Sequence, residues 1–327
     1  MKNLGLSERF ITESTLYEGL YIGRVVSQYK NLYKVTTETG ELTAEVSGKF
    51  RFNTTTLSNY PAVGDFVMID RIDNKAGNAI IHHILTRKSI LIRKAAGTSN
   101  DEQIIASNID TIFICMSLNK DFNLRRIERY LGIAWDSGAI PVIVLTKSDL
   151  CNNLSEKLVE LDTVACGVDV IVTSSISEDG YLSVKDYIHS GETIAFIGSS
   201  GVGKSTRREM FLLPNGGVVI DTPGMREIGL ESADLSKTFT DIDELSTRCK
   251  FNDCTHTNEP KCAVQEALEQ GLISKDRLES YKKLKKETKY EGLNSKQIEN
   301  QKIAAMFKDF GGMNNARKFI KSNNKKR

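Results

Sequence analysis

Thr146-Lys147-Ser148-Asp149 stands about fifty residues ahead of Gly198-Ser199-Ser200-Gly201-Val202-Gly203-Lys204-Ser205. The later segment has the Gly-x4-Gly-Lys-Ser form of a loop that cradles phosphates. The earlier one differs only in its first residue from Asn-Lys-x-Asp, the tetrapeptide with which GTPases read guanine. In an ordinary GTPase chain the phosphate loop comes first. With the order reversed, the cut between guanine side and phosphate side falls at a different place in the chain, and few families are built that way.

The chemistry of each segment follows from its residue types. An apolar stretch, Thr193 to Ile197, reads as the strand that feeds the phosphate loop. The glycines let backbone N–H groups turn inward on the phosphates, Lys204 neutralises the β/γ oxygens, and the Ser205 hydroxyl is suited to ligate Mg²⁺. Asp221-Thr222-Pro223-Gly224 follows a second apolar stretch, Val218-Val219-Ile220. There Asp221 can hold Mg²⁺ through water, and the Gly224 N–H can face the γ-phosphate. Alone, Asp-x-Pro-Gly is a common turn; beside a phosphate loop it is specific.

On the guanine side, the Asp149 carboxylate can accept from guanine N1–H and the exocyclic amine. Adenine presents an acceptor there and would leave the carboxylate unpaired. The Lys147 stem can pack along the base, and Thr173-Ser174-Ser175, at another strand end, can supply backbone contacts to guanine O6. Lys204, Ser205 and Asp221 are therefore the expected catalytic set. Met225 stands after Asp-Thr-Pro-Gly, where many GTPases carry the glutamine that orients water. A thioether cannot do that, so intrinsic hydrolysis is expected to be slow.

Sixteen residues separate Lys204 from Asp221. A helix and a switch loop after the phosphate loop need roughly 25–35 residues at ordinary lengths. Arg207 to Ile220 instead reads as a β-hairpin around Pro214-Asn215-Gly216-Gly217.

Cys249-x4-Cys254-x-His256-x5-Cys262 places three thiols and an imidazole within fourteen residues. Three cysteines and a histidine form a closed structural zinc set, and four protein ligands leave no open position for catalysis. The polar neighbours Lys250, Asn252 and Asp253 suit a loop wrapped around an ion. Cys115 and Cys166 read as packing residues, and Cys151 has no evident role. His82 and His83 lie in a strand-like stretch without partners, and His189 is unassigned.

Ahead of these motifs, residues 17–92 read as about five short strands broken by turns, among them Tyr21–Val26, Leu42–Val46 and Asp65–Ile69. They suit an OB-fold or an SH3-like barrel equally. From Asp110, apolar strands alternate with helical stretches such as Leu124–Ser137, the pattern of a parallel, doubly wound α/β sheet. From Ser232 the chain reads helical. With 327 residues, 40% hydrophobic and 26% charged, the chain has the composition of a soluble protein of two or three domains. No apolar run approaches a membrane span and the first residues lack the apolar core of a secretion signal, so the cytoplasm is the expected compartment. Net charge is only +2, but residues 282–327 hold 14 Lys/Arg against four acids. Such a tail either seeks a polyanion such as RNA or is a solvated helix face.

Barrel-like strands, permuted GTPase motifs and the Cys3His cluster, in that order, closely resemble the bacterial small-ribosomal-subunit-dependent GTPase A family over nearly the whole chain. The resemblance implies an OB-fold RNA-binding domain over 1–95, a circularly permuted GTPase domain over 96–232, and a zinc-binding helical domain with a basic tail over 233–327. It also implies binding of GTP/GDP and of the 30S subunit and its 16S rRNA, with subunit-stimulated GTPase activity in late 30S maturation. One structural zinc per chain, Mg²⁺ with the nucleotide, a monomeric chain and no membrane partner complete the expectation. The family carries a threonine run before the hairpin, and Thr206 is either its remnant or a nucleotide contact of the phosphate loop. Two other readings remain: a nucleotide-gated RNA-binding module with little turnover, for which Met225 and the short interval argue, and an ATP-using enzyme.

Overall fold

The computed structural model describes residues 1–54, 56–75, 77–94, 102–177, 180–198, 209–222 and 235–288. After helix α1 (Glu8–Ser14) come β1 (Tyr21–Gln28), β2 (Tyr33–Thr37), β3 (Gly40–Val46), helix α2 (Gly48–Asn53), β4 (Phe66–Ile69) and β5 (Ala79–Ile84). The strands close in the order β1-β2-β3-β5-β4, and β4 pairs back onto β1. β3 and β5 run parallel and the other pairs antiparallel. With α2 bridging the third and fourth strands, this is the OB-type barrel. Its interior follows the period-two pattern of the sequence: Val35 from β2, Leu42 and Ala44 from β3, and Val67 and Ile81 are all buried. Each large aliphatic side chain so buried contributes roughly 1.5–3 kcal/mol.

A hairpin of β6 (Ile90–Lys94) and β7 (Glu102–Ser107) leads into β8 (Thr111–Ser117), α3 (Leu124–Ser137), β9 (Ile140–Thr146), α4 (Leu154–Asp162) and β10 (Asp169–Val172). Then follow α5 (Leu182–Lys185), β11 (Thr193–Gly198), β12 (Glu209–Leu212) and β13 (Val218–Asp221). β10, β9, β8, β11 and β13 lie side by side in that order and parallel. Strands covered on both faces must be apolar throughout, and Ile112, Phe113, Ile114 and Met116 are fully buried. Helix α3 has the bounds read from its spacing; the Asn123 side chain caps it by accepting from Arg126 N at 3.0 Å.

β12 and β13 form the hairpin expected from the sequence, and β12 also pairs with barrel strand β1. Barrel and parallel sheet thus make one eleven-stranded sheet. In this ladder Ser27, Glu209 and Asp221 lie abreast on three adjacent strands. Arg24 of β1 reinforces the joint. It is buried, donates to Gly64 O at 3.2 Å and Thr193 Oγ1 at 2.8 Å, and also reaches Leu4 O. Burial holds its pKa down to about 10, with Asp110 and Asp65 opposing, so it stays charged at neutral pH.

Helices α6 (Thr240–Ser246), α7 (Ala263–Glu269) and α8 (Lys275–Thr288) complete the described chain. They dock on α3 through buried Arg277, which reaches Glu128 at 3.0 Å and Asp241 at 2.7 Å. Two minor expectations are corrected. Cys166 is exposed beyond the end of α4 rather than packed, next to a left-handed turn at Gly167 (φ 76°). His83 is not without partners: its ring stacks on Tyr17 at 4.4 Å, which ties the segment after α1 to β5. Cys115 lies in the core as expected.

Candidate functional site

Thr146–Asp149, Thr173–Ser175, Gly198 and Asp221 stand at the carboxyl ends of β9, β10, β11 and β13. This is the edge at which open parallel sheets bind ligands. Beyond β9 and β10, Thr146, Lys147, Thr173, Ser174 and Ser175 line a single cavity of about 610 Å³. Lys147 takes the left-handed conformation at φ 59°, turning the chain sharply off β9. Ser148 N donates to Thr173 O at 3.2 Å, which locks the tetrapeptide to the loop after β10.

Asp149 remains exposed, and Ser174 Oγ donates to its Oδ1. Ser174, only 5% exposed, thus orients the carboxylate assigned to guanine. The same Oγ accepts from Ile176 N at 3.2 Å, so the loop folds back on itself. Gly180 permits that fold: a Cβ there would meet Ser174 O at 1.6 Å. The Thr146 hydroxyl is buried without a hydrogen-bond partner among the described residues. A buried hydroxyl left unpaired costs about 1–3 kcal/mol, and this one belongs to a residue that lines the cavity.

Phe196, Cys115 and Tyr181 also line the cavity, and sequence reading did not single them out for it. Phe196 and Cys115 carry no polar signature and lie within core strands. Tyr181 stands after an unremarkable serine-rich loop and is recognisable only from the turn at Gly180.

On the phosphate side, β11 ends at Gly198, where a Cβ would meet Cys115 O at 2.5 Å; only glycine lets β11 lie this close to β8. Asp221 closes β13, the strand parallel and adjacent to β11. The Thr222 hydroxyl donates to Phe196 O and ties the residue after β13 to β11, the strand that leads into the Gly198–Ser205 segment. Ser199, Ser200, Gly201, Val202, Gly203, Lys204, Ser205, Thr206, Gly224 and Met225 lie outside the described residues.

Cys249, Cys254, His256 and Cys262 bring their ligand atoms within 4.8 Å of one another. Cys249 Sγ lies 3.8 Å from Cys262 Sγ and 3.7 Å from His256 Nδ1, and Cys262 Sγ lies 3.5 Å from Nδ1. Ligands at about 2.0–2.3 Å around a tetrahedral zinc stand about 3.5–3.8 Å apart, so the donor set fits that ion. His256 Nε2 lies 3.1 Å from Ser246 Oγ, whose own proton goes to Ile242 O at 2.7 Å. The serine therefore accepts from Nε2–H and leaves Nδ1 for the metal. Glu259 braces the loop, accepting from Thr255 N at 2.8 Å and Thr257 N at 2.7 Å. Hydrogen bonds from Thr255 and Thr257 hold its carboxyl down to about 2. Among the described residues no helix is long and apolar enough to cross a membrane.

Residues 84–207 match the profile of the RsgA GTPase family. A small ribosomal subunit biogenesis GTPase RsgA 2 from Lactiplantibacillus plantarum is 46% identical over 93% of this chain and 93% of its own length. The protein named small ribosomal subunit biogenesis GTPase RsgA from Methanosarcina acetivorans is 39% identical over 92% of this chain and 90% of its own. Among solved structures, YloQ, described as a circularly permuted GTPase, matches with a TM-score of 0.62 at 27% identity, covering 84% of this chain and 96% of that one. YjeQ from Thermotoga maritima matches with a TM-score of 0.63 at 28% identity, covering 81% and 97%. The alignment with the L. plantarum protein runs over 332 positions, more than the 327 residues of this chain, so that relative has residues without a counterpart here.

Proposed function

The chain belongs to the RsgA GTPase family, and on that premise we propose that it hydrolyses GTP in late maturation of the 30S ribosomal subunit, stimulated by that subunit. The observation that carries the guanine assignment is the cavity at the ends of β9 and β10, lined by Thr146, Lys147 and Ser174, whose hydroxyl also holds the Asp149 carboxylate. Asp149 selects guanine, Lys147 covers the base, and the loop Thr173-Ser174-Ser175 contacts O6. The buried Thr146 hydroxyl finds its acceptor on the bound nucleotide. Gly198 opens the phosphate loop, in which Lys204 and Ser205 hold the phosphates, and Thr206 extends it.

Asp221, at the end of the strand beside that loop, would hold Mg²⁺ through water, with Ser205 as the other protein ligand. When bound, that ion neutralises charge developing on the β/γ oxygens. Gly224 senses the γ-phosphate. Cys249, Cys254, His256 and Cys262 take one zinc that stiffens the helical domain. The three domains divide at 1–95, 96–232 and 233–327, the barrel and the basic tail contacting 16S rRNA. The chain acts in the cytoplasm as a monomer, without a membrane partner.

A second reading, a nucleotide-gated rRNA-binding module with little turnover, is favoured by Met225 and by the sixteen residues between Lys204 and Asp221. Both readings require subunit binding that depends on the nucleotide. Sedimentation with purified 30S subunits is expected to recover the chain with a non-hydrolysable GTP analogue and to lose most of it with GDP. Equal recovery with both nucleotides would remove the basis of either reading.

A further inference from the structure

Asp221 ends β13 in a row of residues that crosses into the barrel. Glu209 of β12 is its direct partner, Ser27 of β1 is the partner of Glu209, and Lys34 of β2 is the partner of Ser27. All three joints are antiparallel, so the four side chains share one face, with opposed Cβ atoms about 4.5–5.5 Å apart. We propose that Glu209 is a positioning residue for Mg²⁺: its carboxylate, abreast of Asp221, deepens the negative potential in which that acid holds the ion, and Lys34 of the barrel counters it. The inference rests on the reading of Asp221 as the Mg²⁺ acid.

Local structure sets the row. The register that pairs Arg24 with Thr36 and Val25 with Val35 would carry Tyr33 opposite Ser27. A bulge between Val25 and Ser27 brings Lys34 there instead, and Tyr33 stays in the barrel core. At the other end, Met210 and Ile220 are the neighbouring pair and both pack into the main core. Alternation along the strands therefore turns Glu209 and Asp221 to the opposite face together.

Like charges directly opposite each other across two strands are unfavourable in an empty sheet. A divalent cation beside them reverses the sign, and Mg²⁺ favours oxygen ligands while keeping several of its waters. Asp221 stands on the strand adjacent to β11, whereas Glu209 is one strand farther away. Glu209 therefore acts on the ion through the field at Asp221 rather than by ligation.

Lys34 meets the same field from the barrel side. Its Nζ lies 2.5 Å from Glu41. Hydrogen bonding and attraction from Glu41 raise the Lys34 pKa, and Glu209 adds a smaller attraction in the same direction. Ser27 between them is only 5% exposed, so little water screens the space across β1. Lys34 thus subtracts from the potential that Glu209 supplies, and a change of charge on the barrel is felt at the ion.

The test reads Mg²⁺ affinity rather than turnover. Binding of a fluorescently labelled, non-hydrolysable GTP analogue to the full chain, measured across a Mg²⁺ series, gives the Mg²⁺ level that half-restores full affinity. Glu209→Gln should raise that level about tenfold, the size expected for a unit charge lost one strand from the acid that holds a divalent ion. Glu209→Asp should recover most of the loss. Lys34→Ala should lower the level about twofold in the otherwise unaltered chain and leave it unmoved beside Glu209→Gln. Affinity without Mg²⁺ should not fall in either Glu209 variant; equal loss with and without the ion would show a purely structural role and overturn the proposal. An unchanged level for Glu209→Gln, with Asp221→Asn raising it, sinks the proposal alone. No change for Asp221→Asn sinks the reading of Asp221 as well. A Lys34→Ala effect that persists beside Glu209→Gln would overturn the barrel's part in it.

Discussion

Asp149→Asn is expected to lower GTP affinity on the order of a hundredfold to a thousandfold and to improve binding of xanthosine triphosphate. The carboxylate accepts from both N1–H and the exocyclic amine, and an amide can accept from only one while its NH2 confronts the other donor. Sites built to pair a polar edge reject a mismatch by up to 10⁴–10⁵; the exposure of Asp149 before binding places the effect below that. Xanthine carries a carbonyl in place of the amine and restores the pairing. Ser174 Oγ can still donate to the amide oxygen, so the loop keeps its shape. Calorimetric titration with both nucleotides measures this. Unchanged GTP affinity would place base selection elsewhere and revive the ATP-using alternative.

Arg277→Ala is expected to destabilise the chain by on the order of 3–5 kcal/mol, because Glu128 would then lose its buried cationic partner. Arg277 is 6% exposed and Glu128 fully buried. Burial pushes the Glu128 carboxyl above its ordinary value, with Arg125 and Arg277 pulling it down. Burial also works against the Arg277 charge, but hydrogen bonding and attraction from Asp241 and Glu128 outweigh it, and its pKa is raised. Once Arg277 is gone, Glu128 must ionise at a cost as pH rises through its folded pKa, whereas below that pKa it is neutral and its burial is tolerated. The deficit in urea unfolding should therefore narrow at mildly acidic pH. The double change Glu128→Leu with Arg277→Met should recover much of the loss, since replacing a whole buried pair by apolar groups costs little. A loss of under about 1 kcal/mol for Arg277→Ala would show that the α3–α8 contact does not hold the helical domain in place.

The site was legible where chemistry requires a fixed residue at a fixed spacing. Thr146 to Asp149 stood out by its near match to Asn-Lys-x-Asp, the Thr173 loop by its place at a strand end, and the metal cluster because thiols and an imidazole rarely gather by chance. The bounds of α3 were legible for a similar reason: Asn123 caps one end and apolar spacing persists along it. The barrel's strands were legible, but OB and SH3-like closure differ in which strands pair, and alternation says nothing of partners. β12 illustrates the limit most clearly. Glu209 to Leu212 read as half of a hairpin, yet its outer edge meets Ser27 of a strand 182 residues earlier in the chain. Backbone pairing across such a distance leaves no local pattern. Arg24 was missed likewise, since its acceptors are backbone carbonyls and a threonine brought together only by the fold.

The Ser27–Glu209–Asp221 row gives the proposed function a physical route, because the acid assigned to Mg²⁺ lies two strands from the barrel. Binding at either end of such a row must affect the other reciprocally if the two are coupled. Single-turnover hydrolysis of GTP by the full chain, alone and with purified 30S subunits, tests the central claim most directly. Slow hydrolysis alone, rising by on the order of tenfold or more with subunits, is the predicted result. The same rate with and without subunits would contradict it.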